Sequence, residues 1–437
     1  MRPAITTGLN VELPATDERA FLSMHPSGPT LKLTPDFQRM WIPASVAGHS
    51  QRGSTFHATV AAGRGDMETR ELLLDDLLVS WAEIAATEIP DPTRVTRVWL
   101  GLDPRASAKF FRASNPDADL HVNGRSVWPV DHAVLDELDA ASGDLTGGTT
   151  VRAFTFSSRF SSERNAPRTI ASSDLEQVCL ELEFDAPTSL SDARSALFAA
   201  QTLLEAVGET GIDASRELWV WSTVDGRPGE VVASEWWSRA LLGQTADTSA
   251  LAPWMRVGTR GKLDIHSIGG LRGILEWMTL CHNVPYIASA LSGEHRTTIT
   301  DRRNRISSLA IGWEHLSHWV QRNVHGRTPS TASTITDLVS PLLRGSTRFR
   351  SLVNLSWNTN NEIKHVALRA STKERTPLRR DDVHGHENLA HFMYTTLVVA
   401  SMEAAGMHTA AKDVSLDLED EGPHEHVWGS LADAYAA

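Results

Sequence analysis

Cysteine is nearly absent. Cys179 and Cys281 are the only two in 437 residues, so at most one disulfide can form, and neither has a second cysteine at metal-ligand spacing. Both lie in apolar stretches and read as core residues. Long apolar runs are missing as well. No stretch approaches the roughly 18 to 20 consecutive apolar residues that cross a bilayer, and the opening segment MRPAITTGLNVELPATDERAF lacks the apolar centre of a signal peptide. These absences predict a cytoplasmic protein with no membrane partner. Neither a P-loop nor a dinucleotide-binding glycine pattern occurs, and there is no G-x-S-x-G element or zincin motif. No cofactor is therefore expected. His384, His386 and His391, with Glu387 among them, offer no i,i+3 or i,i+4 histidine pair, so no metal site is expected; they read as a surface loop entering a helix.

What is present is ordinary globular material: 41% hydrophobic and 22% charged residues, too apolar for a disordered chain. The length exceeds what one core usually organises, so at least two domains are expected. Charge divides unevenly. Between Arg302 and Arg380, twelve arginines and two lysines face four acids, a local net of +10, whereas the whole chain carries −13. A basic segment on an acidic body points to a polyanion partner confined to the C-terminal third. Its candidate RNA-binding side chains are Arg302, Arg303, Arg305, Arg348, Arg350 and Lys364.

The pattern of elements suggests an α+β fold. TLKLT (30–34), TFHATVAA (55–62), RVTRVWLGL (94–102) and TVRAFTFSS (150–158) have the alternation or β-branching of strands. RELLLDDLLVSWAEIAA (70–86) reads as a helix among them. A strand ending near Phe184, a helix introduced by Ser189 and ended by Gly208, and a strand from Glu217 to Ser222 form one strand–helix–strand unit. Beyond it helical patterns dominate: 269–284, 302–322, 351–370 and 386–406. On the second of these, Ile306, Leu309, Ala310, Trp313, Leu316 and Val320 fall on one stripe. The Ser/Thr-rich segment 326–336 reads as a loop. Residues 1–255 are thus expected to form a β-rich domain, 256–410 an all-α bundle, and 411–437 a solvated acidic tail.

One short run interrupts the helical pattern. In LSWNTNNEIKHVALRA (355–370), Asn358, Thr359, Asn360 and Asn361 precede an apolar stretch containing His365. Short polar side chains compete for backbone hydrogen bonds and are poor in helix interiors. Either Thr359 caps a new helix, through the capping box Thr359-Asn-Asn-Glu362, or these side chains face a site, since Asn361, His365 and Arg369 follow one another at i, i+4, i+8.

The run TNNEIKH (359–365) resembles the signature of HEPN domains, in which an arginine, usually followed by Asn, Asp or His, precedes a histidine by about five positions on a bundle helix. Upstream, LELEFDAPTSLSDARSALFAAQTLLEAVG resembles the strand–Pro-x-Ser-Leu–helix segment of the N-terminal domain in ApeA-type proteins, which carry a C-terminal HEPN domain. That resemblance implies an anti-phage protein with a metal-independent endoribonuclease domain. It also implies RNA, such as tRNA or another structured RNA, as substrate, a homodimer formed through the helical domain, and a phage-derived trigger. It gives His365 the proton handling or orientation of the ribose hydroxyl, and Asn361 a positioning hydrogen bond. At the position of the family's arginine stands Asn360, which donates hydrogen bonds but carries no charge. The first reading is a ribonuclease in which Arg369, or less favourably Lys364, supplies the charge; the alternative is a catalytically inactive module that binds RNA, dimerises or regulates, and a third is an adaptor whose bundle only mediates protein contacts.

Overall fold

The computed structural model describes residues 9–13, 18–25, 28–33, 44–50, 55–65, 70–80, 93–102, 110–111, 120–122, 125–127, 132–156, 177–208, 218–223, 230–235, 263–296, 302–325, 330–344, 348–364, 382–419 and 425–436. The chain divides into two compact units. The first comprises Met1–Leu197 and Asp213–Gln244, the second Phe198–Ile212 and Thr245–Ala437. A β-rich antiparallel region is followed by a helical one, the α+β arrangement expected.

In the first unit, strands β1 (Leu9–Leu13), β2 (Glu18–His25), β3 (Gly28–Leu33), β4 (Ser45–Ser50), β5 (Thr55–Gly65) and β6 (Arg70–Ser80) pair in the cyclic order β6-β3-β2-β1-β4-β5-β6, a closed antiparallel barrel. Alternate residues fill it: Val11 and Leu13, Ala20 and Leu22, Leu31 and Leu33, Val46, Phe56 and Ala58, Leu72 and Leu74 are all buried. At Gly48, opposite Phe56, an added Cβ would lie 2.5 Å from the Glu12 carbonyl oxygen and 2.7 Å from the Phe56 ring. The missing side chain makes room for the phenyl group.

Of the helix expected over 70–86, β6 corrects residues 70–80, and 81–86 lie outside the described residues. Leucine-rich runs favour helix by propensity, but β3 and β5 hydrogen-bond to its two edges and its Leu72 and Leu74 point inward. Tertiary pairing decides what the short apolar run leaves ambiguous. The far end of β6 also pairs with β14 (Glu230–Glu235), which links the barrel to the rest of the sheet. That part runs β14, β13 (Leu218–Thr223), β7 (Val95–Gly101), β12 (Gln177–Thr188), β11 (Thr149–Phe156), β10 (Ala141–Gly143). Between β7 and β10 in the chain come the hairpin of β8 (Leu120–Val122) and β9 (Arg125–Val127) and the short helix α1 (His132–Asp136).

Helix α2 (Leu190–Gly208) joins β12 to β13, as the strand–helix–strand pattern predicts. Ser189 Oγ accepts from the Asp192 amide at 3.1 Å and donates to its carboxylate at 2.7 Å, the expected cap. β12 and β13 are each antiparallel to β7, which lies between them.

The second unit takes the latter part of α2 together with helices α3 (Gly270–Asn283), α4 (Tyr286–Arg296), α5 (Arg302–Val320), α6 (Thr331–Val339), α7 (Phe349–Lys364), α8 (Val383–Ala404), α9 (His408–Ser415) and α10 (Glu425–Ala436). α5 and α8 pack along each other, with α4, α6 and α7 against α5. The predicted stripe Ile306, Leu309, Ala310, Trp313, Leu316, Val320 is buried throughout. Trp313 Nε1 donates to the Met393 carbonyl at 3.2 Å, and Trp277 Nε1 to that of Ala199 at 2.9 Å, so two indoles bury with their polar atoms satisfied. Every residue of α8 from Leu389 to Met402 is buried, as befits a helix surrounded by others.

Two expectations fail here. The segment 326–336 is not wholly loop: Ser330 Oγ accepts from the Ser333 amide at 3.2 Å and starts α6, whose Ile335 and Val339 are buried. The residues after 411 are not a solvated tail either. α9 continues into a 3-10 turn, Leu416–Leu418, and α10 packs on α7 and α8. Trp428 is 2% exposed and donates to the Asp417 carbonyl at 2.9 Å. The acids conceal a helical set of Val414, Leu418, Trp428 and Leu431, all buried.

Candidate functional site: the C-terminal end of α7

α7 runs without interruption through Asn358, Thr359, Asn360 and Asn361. Thr359 therefore caps no new helix, contrary to the capping-box expectation. The buried face of α7 carries Phe349, Leu352, Val353, Leu355 and Ser356 and continues into Thr359 and Asn360. Ser356 returns its hydroxyl to the Leu352 carbonyl at 2.8 Å. The polar interruption is thus divided by helical period between core and surface: Thr359 is 2% and Asn360 0% exposed, while Asn358 is exposed and Asn361 half-buried.

Asn360 is the unusual member. Neither its Oδ1 nor its Nδ2 has a hydrogen-bond partner among the described residues. A buried amide left unpaired costs on the order of 1–3 kcal/mol. At this position a side chain serves the interior, and Asn360 presents nothing to a ligand at the surface.

Asn361 and Lys364 lie at the accessible end of the helix. Lys364 is exposed, and its Nζ stands 3.7 Å from Glu314 Oε2 of α5. His365 and Arg369, the other two members of the expected line, lie outside the described residues.

The candidate RNA-binding arginines are scattered. Arg302 opens α5, its side chain outside what is described; Arg303 is half-buried and Arg350 exposed. Arg305 is a correction. It is 3% exposed, donates from Nη1 to the Ala290 carbonyl at 2.5 Å, and its guanidinium lies 5.8 Å from the Tyr394 ring centre. It braces α4, α5 and α8 rather than meeting RNA, because its position adjoins the inward stripe that begins at Ile306. Arg348 is half-buried, with Nη1 2.9 Å from where a Cβ on Gly429 of α10 would stand.

The histidine group is likewise dispersed. His384 is exposed, His386 Nδ1 lies 2.6 Å from the Asp382 carbonyl oxygen, and His391 stacks on Trp428 at 5.6 Å. His386 and His391 are buried within α8, so the expected surface loop holds only for the helix start. No group of three or more His, Cys, Asp or Glu side chains among the described residues is placed to hold a metal ion, and no described helix is long and apolar enough to cross a membrane.

Two arrangements escape sequence reasoning. On the sheet of the first unit, Trp99 Nε1 donates to Glu181 at 2.6 Å, Arg152 donates to both Glu181 and Glu183, and the Arg97 guanidinium lies 4.8 Å from the Trp221 ring centre. The two carboxylates, Glu183 foremost and then Glu181, hold the Arg152 guanidinium above its ordinary pKa. The alternation of β7, β11 and β12 signals which face these residues share, but only strand order and register bring them together. In the second unit, Tyr286 of α4 stacks on His315 of α5 with ring centres 4.1 Å apart; no spacing rule links residues in different helices.

No family model matches the chain, and no curated protein or solved structure matches it.

Proposed function

We propose that the helical second unit is a HEPN-like module that engages RNA at the C-terminal end of α7 and binds it without cutting, within a protein of anti-phage defence. The resemblance of TNNEIKH (359–365) to the HEPN signature and the net +10 of residues 302–380 support RNA as the partner. The complete burial of Asn360 carries the choice of binding over cleavage. In the family's pattern an arginine there would neutralise charge on the pentacovalent phosphate; a neutral amide that is 0% exposed supplies no cation and reaches no phosphate. Asn361 and Lys364, with His365 beyond them, would then hold RNA. Dimerisation through the helical unit and release by a phage-derived signal belong to the same proposal.

One observation favours the second reading, metal-independent cleavage. Asn361 is half-buried rather than enclosed in the last turn of α7, four positions before His365 in the sequence, so the positioning amide and the proton-handling imidazole are both retained. Incubating full-length wild type and His365→Ala with structured RNA in EDTA separates the two. Binding predicts intact RNA with both proteins. Cutting by the wild type alone would establish the nuclease.

A further inference from the structure

Tyr286 is 50% exposed, one of two large hydrophobic side chains so exposed among the described residues. A single exposed aromatic is ordinary, but this one is held. Pro285 precedes α4, Tyr286 is its first residue, and the interplanar angle of the Tyr286–His315 stack is 25°. One face of the phenol ring is thus fixed on an imidazole while half of its surface stays in solvent. His315 begins an exposed line that continues with His318 one turn on along α5 and with Arg322 in the π-helical turn Gln321–His325 that follows the helix. At the rise of a helix, the stack and Arg322 stand about 10 Å apart. Glu314, the acid next to His315, is engaged by Lys364.

We infer that Tyr286, backed by His315, is a stacking platform for an unpaired base, and that His318 and Arg322 lead the attached phosphates from α5 to the turn that follows it. The ligand class is single-stranded RNA, or the unpaired loop of a structured RNA. An A-form duplex keeps its base faces stacked inside and offers none to a ring, whereas an unpaired base has a free face. A ring already held flat loses little freedom on stacking, and any base satisfies it, so the platform is sequence-tolerant. This inference rests on the RNA reading above and deepens it by naming the strand state recognised.

The test is fluorescence anisotropy of full-length protein with a labelled single-stranded oligoadenylate of about twelve nucleotides, and with the same strand annealed to its complement. Tyr286→Ala is expected to weaken single-strand binding about tenfold, Tyr286→Phe to retain it, and neither to change duplex binding. An unchanged affinity for Tyr286→Ala, or an equal loss on single strand and duplex, overturns the platform while RNA binding by the wild type stands. Absence of wild-type binding to either probe overturns the RNA reading and the platform with it. Tyr286 is exposed, so Tyr286→Ala is expected to fold, and circular dichroism of both variants confirms it.

Discussion

Lys364 at the end of α7 lies 3.7 Å from Glu314 in the middle of α5, both side chains more than one-third exposed. An ion pair so wetted contributes about 0–1 kcal/mol, so its value is positional. It holds the last turn of α7 beside α5 and offsets the Lys364 charge at that turn. Glu314→Gln is expected to leave the thermal midpoint within a few degrees of wild type and to tighten RNA binding. Lys364→Ala should be equally mild in stability yet weaken RNA binding. Thermal melts paired with binding titrations check both.

Asn360 gives the sharpest stability prediction. Asn360→Leu removes an unpaired buried amide for a side chain of similar size, so it should be neutral or raise stability by about 1–2 kcal/mol. Asn360→Arg places a cation where exposure is 0%. It should destabilise the protein and create no cleavage. Urea midpoints for the two variants should move in opposite directions.

Trp428 fixes the C-terminal helix. It is buried between His391 and Phe392, each ring centre 5.6 Å away. Trp428→Ala should cost about 3–5 kcal/mol and make the residues after 419 the first site of proteolysis. Equal resistance of variant and wild type would mean that α10 does not dock through this ring.

Burial holds the Cys281 thiol well above its ordinary value of 9.0, against a lesser lowering by the Ala288 backbone. The protonated form is therefore favoured by folding. Its stabilisation is fully present below 9.0 and is lost as pH rises above that value, where the unfolded chain releases the proton and the folded one keeps it. Urea midpoints between about pH 8 and pH 10 should fall more steeply for wild type than for Cys281→Ala. Because both cysteines are buried and outside any disulfide, a thiol reagent should find neither in the native protein and both after unfolding.

Legibility in the sequence followed how local the deciding interaction is. The α5 stripe and the Ser189 cap lie within one element, and the pattern alone revealed them. β6 is not legible as a strand because its leucines suit either state and the partners that settle it, β3 and β5, lie outside its own segment. The acidic residues of 411–437 drew attention from the apolar set that seats α10. At the site, the run 358–361 was visible as an anomaly, but the split that buries Asn360 and exposes Asn358 depends on which neighbours α7 acquires. Arg305 shows the same limit: composition counts a charge and cannot tell that it spans three helices.

The most direct test of RNA engagement at α7 is a salt titration of full-length wild type with labelled RNA in EDTA, the RNA recovered on a denaturing gel. Binding that weakens as salt rises, with the RNA intact, is the predicted result, since phosphate contacts release counterions. No binding at low salt would contradict the RNA partner. Shortened RNA would contradict the non-catalytic reading and make His365 the residue to examine.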